Sequence, residues 1–292
     1  KVMNKYDWPK DVSCLTPKSK WNNILKINDI LKNRVDVSLS MQSLKTETLL
    51  DIKRKNWTTQ QYLDFLKELK KRDKPICSEM IIPLPSETEE TYFDGVKFLM
   101  DNDVQTRTYS LMMLCGTELG RDRAIKQFSM KSKYRILPKQ FGEYYGKKVF
   151  EIEKICVATN KMNYQSYLNC RNYSFIVKLL GHTIFLPISK LTQKLGISWY
   201  EFSREITNIV QSENFEGKFK NLYNEFCKES REELFDSLEE AKAYYSKPEN
   251  YISLLKGDIG ENLLSKYTAK GFLILDDILT TIFNVIRNKL NN

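Results

Sequence analysis

The sequence is poor in the side chains that most often build metal and nucleophilic sites. It has one histidine, His182, and its six cysteines are spaced so widely that no Cys-x-x-Cys pair occurs. Zinc and redox motifs of that type and compact iron–sulfur motifs are therefore excluded, and a Ser-His-Asp triad has almost nothing to draw on. Scattered cysteines in a Lys-rich chain without a secretory signal predict reduced thiols in a cytoplasmic protein.

Long apolar runs are also missing. None approaches 18 residues, so no membrane span is predicted. The net charge of +9 comes from residues 1–150, because 151–292 is balanced. The basic residues are scattered rather than arranged in a stripe, which favours a Lys-rich composition over a nucleic-acid partner. An apolar fraction of 41% excludes an intrinsically disordered chain.

The first part of the chain alternates short apolar runs with amphipathic segments. The runs are centred near residues 13, 38, 79 and 110, and each gap has room for one helix, such as a helix over 59–71 with Thr58 as its N-cap. This rhythm predicts βα units in a parallel sheet. Periodicity alone leaves a barrel and an open, doubly wound sheet as alternatives.

The second part of the chain has few strand signals. Apolar residues at helical spacing predict a mostly α-helical region over 151–292, after a first domain over 1–150. The predicted helices are 164–180, 198–212, 218–226, 231–245 and 260–290.

Four short polar segments follow the predicted strands in order. Active sites of parallel α/β barrels lie at these carboxyl ends. The segments are S-M-Q-S at 40–43, R-K-N at 54–56, P-L-P-S-E-T at 83–88 after the acidic Glu79, and G-T-E-L at 116–119.

In this order and spacing, residues 35–120 resemble the second half of a radical S-adenosylmethionine (SAM) enzyme. Residues 134–162 are loosely similar to the segment that follows the barrel in cobalamin-binding members. The resemblance implies an α/β fold: about four of the six strands of a TIM-like radical SAM barrel, followed by a mostly helical region. It also implies SAM, a four-iron, four-sulfur (4Fe-4S) cluster and, in that subfamily, cobalamin as cofactors, with a flavodoxin- or ferredoxin-type reductant as partner.

The same resemblance assigns cofactor-binding residues. Arg54 matches the position that pairs with the methionine carboxylate of SAM, for which a planar guanidinium is suited. Gln42 matches a residue that bonds the ribose or the methionine portion through its amide, and Ser40 belongs to the same strand end. Glu79 matches the carboxylate that accepts hydrogen bonds from the ribose hydroxyls. Two alternatives stay open: Arg54 as part of a solvated helix end, and Gln42 as the cap of a turn.

Two features depart from the family pattern. The implied adenine-flanking backbone runs from Ile81 through Pro83, but Pro83 and Ser86 stand where the family has glycine. Pro83 has no N–H to donate, and a positive φ at Ser86 would be strained. The Cys-x-x-x-Cys-x-x-Cys loop and the Gly-Gly-Glu strand end of the family are missing.

The prediction from these features is the C-terminal part of a longer radical SAM enzyme, which would cleave SAM to a 5′-deoxyadenosyl radical and is inactive alone. Lys1, in place of Met, agrees with it. Two alternatives stay open: a tRNA-modifying member of the superfamily, and a cluster-free module that binds SAM or a nucleoside or serves as a partner subunit. Cys115 is expected to be a buried, inert thiol, and His182 a structural residue.

Overall fold

The computed structural model describes residues 2–13, 21–36, 40–55, 57–71 and 76–291, which form a mixed α/β structure. The strands are β1 Val12–Ser13, β2 Val35–Asp36, β3 Cys77–Ile82, β4 Gln105–Ser110, β5 Lys131–Tyr144 and β6 Lys147–Ala158. The helices of the first half are α1 Val2–Tyr6, α2 Trp21–Ile30, α3 Thr46–Asp51, α4 Thr59–Lys70, α5 Glu89–Asp101 and α6 Asp122–Gln127. Those of the second half are α7 Tyr164–Leu180, α8 Leu186–Lys194, α9 Trp199–Gln211, α10 Lys218–Glu232, α11 Leu238–Ser246, α12 Pro248–Lys256, α13 Leu263–Phe272 and α14 Leu275–Asn291.

The first four strands pair in parallel. β1 pairs with β2, and β3 pairs with β4 over their whole lengths. Between these two pairs, the backbone of Gln42 forms a parallel bridge with Met80 of β3. Strand neighbours thus follow chain order, as the βα rhythm predicts. The small sheets do not close into a barrel within the described residues. Positions 37–39 of the second predicted strand lie outside the described residues.

Helices cover one face of the parallel strands. Side chains alternate in burial along β3, and Met80 and Ile82 pack into the main hydrophobic core. The predicted cap of α4 is confirmed: the Thr58 hydroxyl accepts a bond from the Gln61 N–H in a capping box. Helix α5 is capped in the same way, since the Thr88 hydroxyl accepts a bond from the Thr91 N–H.

A long antiparallel hairpin, which the sequence analysis missed, follows the parallel strands. The pairing of β5 with β6 runs from the partners Lys131 and Ala158 at the open end to the turn at Tyr145 and Gly146. Met112, after the end of β4, pairs with Ile155 of β6 and joins the hairpin to the parallel strands. The predicted boundary at residue 150 falls inside β6.

The region after β6 is helical, as predicted, and α7 is its most buried helix. Three predicted helices are wrong in extent. The helix predicted over 218–226 continues to Glu232 as α10, 231–245 is divided between the end of α10 and α11, and 260–290 is divided between α13 and α14. One buried cluster extends from Ile24 to Ile286, so both predicted domains contribute to the same core.

In the part of the chain that the structure describes, no single helix has the length and apolar character to cross a bilayer. One bent pair of helical segments, Tyr164–Leu180 with Thr183–Lys194, is long and apolar enough to do so by length and composition only.

Candidate functional site

Four of the predicted site residues meet at the edge of β3: Ser40, Gln42, Glu79 and Ile81. The Gln42 N–H donates to the Glu79 carbonyl (2.7 Å), and the Ile81 N–H donates to the Gln42 carbonyl (3.1 Å). Two residues before Gln42, the Ser40 hydroxyl donates to Oε2 of Glu79 (2.6 Å). Strand pairing therefore brings the Gln42 backbone and the Ser40 hydroxyl to Glu79, although Ser40 and Gln42 precede Glu79 by 37 or more residues.

The side chain of Gln42 is the unusual group of this site. It is 7% exposed, and its Oε1 is buried without a hydrogen-bond partner among the described residues. Its backbone has a left-handed φ of 61°, which holds the chain in a sharp turn beside β3. A buried amide oxygen without a donor costs free energy, about 1–3 kcal/mol, so this turn is held at an energetic cost.

The loop after β3 is held by polar contacts. Ser86 adopts the positive φ that the sequence analysis identified as strained, at 60°. The Lys45 ammonium donates to the Ser86 carbonyl (2.7 Å), and the Ser86 hydroxyl donates to the Asp51 carboxylate. These contacts fix the turn that glycine makes in the family pattern. The Ile82–Pro83 peptide is cis, and Pro83 offers no N–H.

Glu87, which sequence reasoning missed, is a buried carboxyl behind this loop. It is 1% exposed and accepts a bond from the Thr91 hydroxyl (2.7 Å). Burial raises the pKa of Glu87 above its usual range, against the lowering effect of hydrogen bonds from Ser43 and Thr91. Because Ser43 follows Gln42 directly, Glu87 connects the start of α5 to the turn at Gln42.

Arg54 lies apart from this group. Its side chain is exposed beyond the end of α3, and no hydrogen bond joins its guanidinium to Gln42 or Glu79. The neighbouring Lys53 forms an ion pair with Glu118 of the G-T-E-L segment. The structure therefore brings the residue before the second polar segment to the fourth segment, but it does not bring the Arg54 side chain to the Ser40–Glu79 pair.

One face of the β3–β4 pair carries polar and half-exposed side chains. Cys77, Glu79 and Ile81 alternate with the buried residues of β3 and are intermediate in exposure. On β4, Arg107 lies opposite Glu79 in the register and is exposed, as is Tyr109 at 49%. The sequence analysis did not assign Arg107 or Tyr109, because the β4 sequence Q-T-R-T-Y-S has no alternation of polar and apolar residues to mark its exposed face.

Two further expectations can be compared with the structure. Cys115 is exposed, so the expectation of a buried thiol is wrong, because the chain leaves β4 in an open turn there. His182 accepts a bond from the Ile184 N–H at a short helical turn and packs edge-on against Phe272, as expected of a structural residue. Among the described residues, no three His, Cys, Asp or Glu side chains are grouped so that they could hold a metal ion.

Comparisons with known proteins add no assignment to this geometry. No protein-family model matches the chain, and no curated protein matches it. The functional assignment therefore depends on the site itself.

Proposed function

We propose that the chain is the C-terminal part of a radical SAM enzyme and binds SAM where Ser40 and Gln42 meet β3. The observation that carries the proposal is the pairing of Gln42 with the Glu79–Ile81 backbone, with the Ser40 hydroxyl on the Glu79 carboxylate. Parallel strands that neighbour one another in chain order support a barrel segment, since a doubly wound sheet reverses its order at a switch point.

The polar atoms of this site suit the donors of SAM. Oε2 of Glu79 is engaged by Ser40, and Oε1 is the atom to which a ribose hydroxyl would donate. Oε1 of Gln42 is buried, so this side chain would have to turn outward to accept from a hydroxyl or from the methionine ammonium group. Arg54, exposed at the end of α3, would turn inward to pair with the methionine carboxylate.

The adenine-flanking backbone fits less well. The Ile81 N–H is already donated to Gln42, and Pro83 has none. Ile81 and Pro83 would therefore contribute apolar contact rather than backbone hydrogen bonds to the adenine. Bound SAM supplies the sulfonium whose reduction yields an adenosyl radical in this family, while these residues bind and orient it and exclude water.

The described residues do not fit an iron–sulfur cluster, because they offer no group of metal-binding side chains. The ligands of a 4Fe-4S cluster would have to come from outside the described residues. The cluster, its flavodoxin- or ferredoxin-type reductant and cobalamin are predictions from the family resemblance alone, and we derive no reaction step through them.

The proposal is tested by calorimetric titration of SAM into the full chain and into Glu79→Gln. The substitution keeps the shape of the side chain and removes its charge. Charge-assisted hydrogen bonds contribute about 1.5–3 kcal/mol, so the dissociation constant should rise about 10- to 100-fold.

Glu239→Gln, at an exposed position in the first turn of α11, is the matched control and should bind SAM as the unaltered chain does. Equal affinity in the Glu79→Gln variant, or no saturable binding by the unaltered chain, would contradict the proposal.

A further inference from the structure

Arg107 is an exposed cation beside the proposed SAM site. It lies in the middle of β4, directly opposite Glu79 in the parallel register. Neighbouring strands are about 4.8 Å apart, so both side chains leave the same face of the sheet next to each other. The Glu79 carboxylate nevertheless takes its hydrogen bond from Ser40.

The guanidinium of Arg107 forms no ion pair in the part of the chain that the structure describes, since no carboxylate there lies within ion-pair distance of it. The less exposed Arg135 and Arg171 each have such a partner. Lys178 of α7 adds a second positive charge nearby. Burial, and after it the charge of Arg107, lowers the pKa of Lys178.

Tyr109 completes a surface that suits a small molecule. It follows Arg107 by two residues and therefore leaves the same face, with about half of its surface exposed. An aromatic wall beside an arginine fork is a common arrangement for a ligand that carries an oxyanion, since the fork forms two charge-assisted bonds to a carboxylate or phosphate.

We infer that Arg107, with Tyr109 beside it, binds an oxyanion of the substrate, and that the substrate is a phosphorylated or carboxylated small molecule. The inference rests on the proposed function, because it places the substrate on the sheet face shared with Glu79. SAM has one carboxylate, which the proposal assigns to Arg54, so the group at Arg107 belongs to a second molecule.

The test uses chain labelled with ¹⁵N-arginine, with inorganic phosphate and acetate as separate probes. The Nε–Hε signal of Arg107 is identified by its loss in Arg107→Gln. Saturable shifts of that signal with phosphate indicate a phosphorylated substrate, and saturable shifts with acetate indicate a carboxylated one. A signal that neither probe shifts would overturn the inference.

Affinity for the effective probe is then compared between variants by titration. Loss of a charged hydrogen-bonding pair should raise the dissociation constant about tenfold or more in Arg107→Gln. Arg287→Gln, at an exposed position on α14, is the matched control and should leave it unchanged. Equal weakening in both variants would show diffuse attraction by the net positive charge and would overturn the inference.

Titration of SAM into Arg107→Gln separates the two proposals. If SAM binds normally while the anion does not bind at Arg107, only the substrate inference fails. If the unaltered chain does not bind SAM, the proposed function fails whatever the anion does.

Discussion

Glu233 is the shared carboxylate of a largely buried network of ion pairs, and we expect its neutralisation to destabilise the fold strongly. Oε1 of Glu233, at the end of α10, accepts from Arg135 of β5 (3.2 Å) and from Arg171 of α7. Arg135 also pairs with Glu153 of β6. The network joins the hairpin to two helices, and its two guanidinium and two carboxylate charges balance.

The size of the effect follows from burial. The four side chains are only 7–19% exposed, so water screens their interactions weakly. Burial lowers the pKa of Arg135, but Glu233 and Glu153 more than offset this and the net pKa is raised. In Glu233→Gln, one guanidinium charge would be left without a counter-charge. Breaking a buried pair costs about 3–5 kcal/mol of unfolding free energy.

Urea unfolding followed by circular dichroism measures this loss. With a denaturant dependence of about 3 kcal/mol per molar urea, the midpoint should fall by roughly 1–1.7 M. Glu232→Gln is the control, because Glu232 is 62% exposed and lies 3.8 Å from Lys228. It should cost about 0.5 kcal/mol or less. Similar shifts in the two variants would refute the reasoning.

Two further predictions concern titratable groups. Burial raises the pKa of Glu87 above its usual value of 4.5, so the folded chain holds this proton more tightly than the unfolded chain. The contribution of this carboxyl group to stability is therefore complete below pH 4.5 and declines as pH rises through the folded-state pKa. Urea midpoints measured between about pH 4 and pH 7 should fall more steeply for the unaltered chain than for Glu87→Gln. Equal slopes in the two chains would contradict this prediction. Among the described cysteines, Cys115 is exposed, whereas burial raises the pKa of Cys156 to about 12 and that of Cys227 to about 11. Cys115→Ser should remove one fast-reacting thiol in an Ellman assay, and an unchanged fast amplitude would contradict it.

The parallel strands and their helices were predictable because local patterns agree with the final packing. β3 alternates in burial, and Thr58 and Thr88 cap the helices on either side of it. The same agreement explains why α7 begins and ends where its apolar spacing predicts. Breaks inside long helical patterns were harder to predict, since α13 and α14 are separated by only two residues.

The hairpin was missed because β5 carries signals that oppose a strand. Pro138 and Gly142 interrupt it, and the register shifts between Ile136 and Phe141. The turn itself gave only a weak signal: Tyr145 and Gly146 both have positive φ, as a two-residue hairpin turn requires, but only the glycine is typical of such a position.

The candidate site was predictable only in part. The strand ends gave Ser40, Gln42 and Glu79, but their mutual contacts depend on a backbone pairing between distant segments. Arg107 was missed for the same reason, because its position opposite Glu79 depends on the register of β3 with β4. Local periodicity does not specify the register between two strands.

Hydrogen exchange with and without SAM, read by mass spectrometry, tests the central claim most directly. We expect slower hydrogen exchange on addition of SAM in two segments, 40–45 and 79–87, because these residues form the proposed SAM-binding edge of β3. The cavity of about 340 Å³ between α10 and α13 should be unaffected. Unchanged exchange in both segments, or protection confined to that cavity, would contradict the account.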